Sequence, residues 1–381
     1  MIHSNEITFT KMQGAGNDFI VFKKEDIKVI PNKQFSPDSS EGVRSGASLT
    51  IEDLSVISKK LAHRKLGIGC DQLIIVADSP NADTDYEMLI FNSDGSQASM
   101  CGNGIRCFSK YIIDNSVKSI HDKDNKNNGS SGSGGSSDDG ESSSNESENA
   151  IVHRVHTLAG TIICSTDKSQ IGSKNNGDSY YREDTMLVKV NMGNPYLLRT
   201  NDNTLLVPND RTILVPTPNP STDKPIYLER VQVDERRAID VVLVSMGNPH
   251  CVIFLQDNIE KGQLPEGTDI DTMDISEIGQ KLAKHKMFVD SCNIEFVSST
   301  KANHFKARVW ERGAGETLAC GTGACAVAVA TVLVGKSLPE QQISINMPGG
   351  ELLIDWNANE NFGKVFKTGP ATSVFSSVIK I

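Results

Sequence analysis

Short apolar runs, some alternating with polar residues, recur along this chain and predict many strands. They are "EITFTKM" (6–12), "FIVF" (19–22), "QLIIVA" (72–77), "YEMLIFN" (86–92), "TIICST" (161–166), "MLVKVNM" (186–192), "DVVLVSM" (240–246), "HCVIFL" (250–255), "NIEFVS" (293–298) and "KARVWER" (306–312). Each is rich in β-branched or aromatic residues at strand length. A helical period appears in four places only: "IEDLSVISKKLAHRK" (51–65), "GIRCFSKYIIDN" (104–115), "DISEIGQKLAKH" (274–285) and "GACAVAVATVLVG" (323–335). Many strands and few helices predict an α+β fold.

The pattern breaks at polar inserts. Residues 115–149 contain "DKDNKNNGSSGSGGSSDDGESSSNESEN". Such a stretch cannot bury enough apolar surface to offset the entropy of ordering, so we expect a disordered insert. Softer inserts are expected at 31–48 and 167–184. All three fall between patterned elements, where extra loop length costs little.

The two halves echo each other. "KMQGAGNDFIVF" (11–22) has a counterpart in "VSMGNPHCVIF" (244–254). "NSDGSQASMCGNG" then leads into the second predicted helix, and "ERGAGETLACGTG" into the fourth. Each half thus ends in Cys-Gly-x-Gly followed by a helix, at Cys101 and Cys320. This predicts two related domains facing each other across a cleft, a common place for a site.

Composition narrows the reading. The chain has 381 residues, 38% of them apolar, with a formal net charge of -10. The negative balance argues against nucleic-acid or anionic-membrane partners. No run of apolar residues is long enough for a transmembrane helix. The start, "MIHSNEITFT", resembles neither a signal nor a transit peptide, so a cytoplasmic location is expected. The eight cysteines then read as reduced thiols. No Cys-x-x-Cys pair occurs, so no metal site is expected.

A cysteine at a helix N-terminus meets unpaired N–H groups and the positive end of the macrodipole, which favour its thiolate. The neighbouring glycines let backbone approach a ligand, and the same N–H groups suit a carboxylate. Two such motifs facing one cleft could invert an α-carbon. One thiolate would remove the proton, and the opposite thiol would return one to the other face. No electron-sink cofactor is needed. Cys107, Cys164 and Cys325 have apolar neighbours and read as core residues. "GTGACA" also fits a Gly-x-Gly-x-x-Ala dinucleotide fingerprint, but no apolar strand leads into it.

"KMQGAGNDF", "GIGCDQL", "FNSDGSQASMCGNGIRC", "VSMGNPHCV" and "RVWERGAGETLACGTGACA" together resemble the diaminopimelate epimerase family, in the family's order. The resemblance implies interconversion of LL- and meso-diaminopimelate in lysine biosynthesis, without pyridoxal phosphate or another cofactor. It implies two pseudo-symmetric domains, each a mixed or antiparallel sheet wrapped around a central helix. Expected boundaries are 1–191, completed by a C-terminal strand at 370–381, and 192–369. Cys101 and Cys320 would be the acid–base pair, tuned by His250 and Glu311. The implied substrate shell is Asn17, Gln72, Asn92, Asn248, Asn293, Glu311 and Arg312. Backbone N–H groups of Gly102, Asn103, Gly321 and Thr322 would hold the reacting carboxylate. A homodimer is also implied. Arg312 suits a carboxylate through its planar fork; isolated Asn residues in turns serve more often as local caps. Gln13 stands where the family often has His, Cys70 adds a thiol beside Asp71, and the 115–149 insert is unusual. The rival readings are a proline racemase-like enzyme, which also uses two cysteines, a phenazine-biosynthesis isomerase-like enzyme, and a binding protein that keeps the fold.

Overall fold

The computed structural model describes residues 6–27, 50–126, 149–170, 184–197, 228–288, 290–357 and 363–380. In the first half the elements are β1 (Glu6–Gly14), β2 (Asn17–Lys23), α1 (Ile51–Ala62), β3 (Gln72–Asp78), β4 (Tyr86–Asn92), β5 (Gln97–Ala98), α2 (Gly104–Lys126), β6 (Ala150–Thr157), β7 (Gly160–Asp167) and β8 (Thr185–Asn191). There follow β9 (Tyr196–Leu197), β10 (Glu229–Gln232), β11 (Ala238–Ser245), β12 (Pro249–Phe254), α3 (Leu255–Glu260), α4 (Ser276–Ala283), β13 (Asn293–Lys301), β14 (His304–Glu311), β15 (Gly315–Thr317), α5 (Gly321–Leu333), β16 (Ile343–Met347), β17 (Gly350–Trp356) and β18 (Val365–Lys380).

Strand pairing repeats between the halves. β1–β2 is antiparallel, β2–β3 parallel, β3–β4 antiparallel and β4–β6 parallel; β6–β7 and β7–β8 are antiparallel. The same series runs β11–β12, β12–β13, β13–β14, β14–β16, β16–β17 and β17–β18. The short strands β5 and β15 pair with β4 and β14 just before the helices α2 and α5. These are the two pseudo-symmetric lobes of an α+β fold.

The lobes are closed by shared strands. β18 leaves the second lobe, where it pairs with β17, runs antiparallel to β8 through Phe366–Asn191 to Thr372–Thr185, and ends against β1. β9, directly after β8, pairs with β11 in turn.

Each sheet wraps one helix because its inner face is apolar. In β2, Phe19 and Val21 join the inner core with α2, while Ile20 and Phe22 join an outer core with α1. That explains why "FIVF" is continuous rather than alternating: both faces are covered. α5 is built mostly of Ala, Val and Gly and is buried on nearly every side, with Thr322 its one partly exposed residue. α1 starts with a capping box: Thr50 Oγ1 accepts from Asp53 N–H (3.2 Å) and Asp53 Oδ2 from Thr50 N–H (3.0 Å), a pairing that satisfies two donors at once.

Every strand predicted from the pattern is present. β6, β10, β16 and β17 were not predicted, nor were the two- and three-residue strands. The C-terminal strand begins at Val365, earlier than expected. The boundary at 115 is corrected, since the backbone of α2 continues to Lys126. The rest of that insert up to 148 lies outside the described residues, as do 31–48 and 171–183. Residues 167–170 end β7 and form a short 3-10 turn.

Candidate active site

α2 and α5 point their N-termini at one interlobe cleft of about 1030 Å3. Cys101 and Cys320 sit there in matching geometry. Gly104 N–H donates to Cys101 Sγ and Gly323 N–H to Cys320 Sγ, both at 3.4 Å. Ile105 N–H meets Cys101 O and Ala324 N–H meets Cys320 O, both at 2.9 Å. Each thiol therefore caps its own helix, which orients sulfur toward the cleft.

Of the expected residues, Asn17, Gln72, Asn92, Cys101, Gly102, Asn103, Asn248, Glu311, Arg312, Cys320, Gly321 and Thr322 line this cleft; His250 and Asn293 do not. The amides are tied to one another and to Asp71. Gln72 donates to Asn92 (2.8 Å), Asn103 to Asn17 (2.6 Å) and Asn17 to Asp71 (3.2 Å). Asn248 donates to the Thr322 hydroxyl at 3.3 Å. Arg312 is exposed, with Nη1 donating to Asp290 O at 3.2 Å.

His250 is fully buried behind the wall. Its Nδ1 is hydrogen-bonded to Glu295 Oε1 at 2.6 Å, and its Nε2 to Asn248 Oδ1 at 3.0 Å. It thus fixes the Asn248 amide rather than reaching the cleft. Asn293 is also buried: its Oδ1 accepts from Arg312 N–H (2.9 Å) and its Nδ2 donates to Pro249 O (3.1 Å). It places Arg312 instead of lining the wall.

The thiol electrostatics differ from the sequence expectation. Burial raises the pKa of both Cys101 and Cys320, and the helix N–H groups only partly offset it. Desolvation outweighs the helix terminus here. For Cys320, the carboxylates Glu311 and Glu295 push further upward. Burial also raises Glu311, against the hydrogen bond from Thr317. A raised carboxyl beside a raised thiol is a pair that can share a proton.

Several cleft residues were missed by sequence reasoning. Asp71 and Arg64 form the rim, where Arg64 bridges Asp71 (2.6 Å) and Asp18 (2.7 Å). Asp71 stood beside Gln72 in "CDQL" and could have been found there. Glu295, Arg106 and Lys367 are fully buried. Their only sequence signal is a charged residue inside an apolar period. His250, Glu295 and Cys320 also present donor atoms within 4.8 Å of one another, a set able to hold a metal ion. The absence of Cys-x-x-Cys could not reveal it, because these donors come from separate segments.

This fold of two closed lobes around a shared cleft is also that of solved racemase and epimerase structures. The same fold is seen in a hydroxyproline epimerase from Agrobacterium vitis, at a TM-score of 0.52 and 11% identity, covering 100% of this chain and 94% of that one. The sequence model of diaminopimelate epimerase matches residues 9–132 and 242–374. The diaminopimelate epimerase of Acetivibrio thermocellus is 35% identical over 374 residues, covering 98% of both chains. The chloroplastic diaminopimelate epimerase of Oryza sativa subsp. japonica is 34% identical over 368 residues, 96% of this chain and 78% of the relative. The chain belongs to the diaminopimelate epimerase family.

Proposed function

We propose that this protein epimerises LL-2,6-diaminopimelate and meso-2,6-diaminopimelate in lysine biosynthesis, with Cys101 and Cys320 as its acid–base pair. The observation that carries the mechanism is the matched placement of the two thiols at helix N-termini on one cleft. The substrate α-carbon lies between them. One thiolate takes the α-proton, leaving its electron pair on the carbon and conjugated with the carboxylate. The N–H groups of Gly102, Asn103, Gly321 and Thr322 receive that charge. The opposite thiol gives its proton to the other face, and the configuration inverts. The reverse reaction exchanges the two roles. Glu311 accepts the Cys320 proton when that thiol must act as base.

Arg312, set by Asn293, takes the distal carboxylate. Asn17, Gln72, Asn92 and Asn248 orient the amino-acid ends, and His250 with Glu295 steadies Asn248. The lobes divide at 191/192, and 370–381 belongs with the first. The protein works as a cytoplasmic homodimer; among the described residues no helix is long and apolar enough to cross a membrane.

The test is turnover of purified protein with LL-diaminopimelate, with proline as the control, in deuterium oxide. Deuterium should enter the α-position with inversion. Cys101→Ala and Cys320→Ala should each abolish epimerisation, and Cys107→Ala should not. Efficient racemisation of proline without turnover of diaminopimelate would assign the chain to the rival reaction instead.

A further inference from the structure

The mechanism above leaves one buried cation unused. Lys367 lies on β18 where that strand pairs with β8, between Val190 and Ile354 as its strand partners. It is completely buried. Its Nζ donates to Gly102 O at 3.0 Å. Among the described residues it makes no salt bridge with any carboxylate. Arg106, equally buried on α2, donates to Pro370 O, Gly102 O and Asn103 Oδ1, leaves Nη2 without a partner and likewise has no carboxylate. Two uncompensated cations therefore sit together in the interior. Such an arrangement is costly unless an anion arrives.

The position of Nζ says where that anion belongs. A Cβ on Gly102 would lie 2.6 Å from Nζ, and one on Gly321 would lie 2.3 Å from it. Neither glycine has the positive φ that would itself demand glycine. Both are small because the ammonium occupies the space behind them. It stands beneath both helix N-termini at once, separated from the cleft only by the two residues that hold the carboxylate. The strand β18 makes this possible, since it pairs with β8 of the first lobe and β17 of the second and packs against both α2 and α5.

We infer that Lys367 is a positioning residue that sets the charge of the cradle, countering from below the substrate carboxylate and the negative charge shared with either thiolate. The inference rests on the two-thiol reading. The titratable and charged groups facing Nζ are Arg106 from α2, Cys101 and Cys320 at the two helix starts, Cys325 from α5 and Cys164 from β7. β17 and the β8 partner Val190 present apolar side chains. Burial and Arg106 lower the Lys367 pKa to about 8, while the thiols oppose that shift. The cation is thus present below that pH and lost above it. An anion in the cradle must move its loss to higher pH.

The experiment uses the full chain and Lys367→Met, which keeps the length and removes the charge. Alkylation of Cys101 by iodoacetamide, followed against pH by peptide mass spectrometry, should shift upward by about one unit, with a roughly tenfold or greater fall in kcat/KM near neutral pH. The upper limb of the wild-type kcat/KM profile near pH 8 should disappear in the variant. An unchanged alkylation profile in folded Lys367→Met would overturn the inference. Should the variant not fold, the wild type decides. In protein labelled with 15N-lysine, one Nζ signal should titrate below the others and move upward when diaminopimelate saturates the site. A signal that ignores the ligand overturns the inference equally. Failure of the two-thiol reading would show separately, as enzyme alkylated at Cys101 and Cys320 that still turns over.

Discussion

Replacing Glu311 by Gln keeps the side chain's size and removes its capacity to take a proton. Glu311 lines the cleft, accepts from the Thr317 hydroxyl and lies beside Cys320. Two effects then oppose each other. The carboxylate's charge raises the Cys320 pKa, so the neutral amide should let Cys320 be alkylated at lower pH. Yet the amide cannot receive the thiol's proton. Loss of positioned general-base help costs about 10²–10⁴ in rate, or about 2.7–5.4 kcal/mol. We therefore expect kcat to fall by that factor while Cys320 becomes easier to ionise. The pH signature follows from the sign of the shift. Burial raises the Glu311 pKa, so its base form is present above that raised value and lost as pH falls through it. Wild-type kcat should decline there, and Glu311→Gln should flatten the decline. The assay is epimerisation across pH, paired with iodoacetamide labelling of Cys320. A variant with higher activity would mean that Glu311 acts only through its charge on the thiol. A raised KM with kcat unchanged would mean that it only holds an ammonium. Either result refutes the proton transfer.

Arg312→Lys should lose a large part of kcat/KM for diaminopimelate, about 2–5 kcal/mol, because a point charge cannot reproduce a two-pronged contact; near-normal kinetics would remove Arg312 from the distal end. Mild oxidation should join Cys101 to Cys320, stop turnover and be reversed by dithiothreitol; activity lost with both thiols still free by mass spectrometry would contradict this. Gly349→Ala should destabilise the protein by about 1–3 kcal/mol in denaturant titration, because its Cβ would fall 2.1 Å from Ala15 O, in a turn of the other lobe, and 3.1 Å from Leu318 O; unchanged stability would show that the interlobe contact yields freely.

The strands of both lobes were readable because their apolar faces repeat. β16 and β17 escaped for a different reason: "ISINM" is short, and "GELLIDW" begins inside the Pro- and Gly-containing turn that joins the two strands. The paired cysteines were readable because each half states the motif once. Their ionisation was not, since burial of sulfur depends on the lobes meeting, which no local pattern records. His250 shows the same limit. The sequence places it two residues after Asn248, but only the fold reveals that β13 brings Glu295 to its other nitrogen. Lys367 is the extreme case. Nothing in "VFKTGP" marks it as buried, and only the packing of β18 between β8 and β17 encloses it.

The pairing of β18 with β8 also bears on how the site is held together. Inverting a carbon needs two groups on opposite faces, each within reach of a proton, so the lobes must keep a fixed separation. A hinged pair of independent domains would hold it poorly. Here β18 is built into the second sheet through β17 and finishes as the partner of β1 in the first, while β9 returns to β11. Separating the lobes would break the ladder from Phe366–Asn191 to Thr372–Thr185. Residues 105–113 of α2 and the helix α5 contribute to one continuous core as well. The two thiols thus sit on a floor built from both lobes, while the rim carries the exposed Arg64 and Arg312 and the half-buried Asp71.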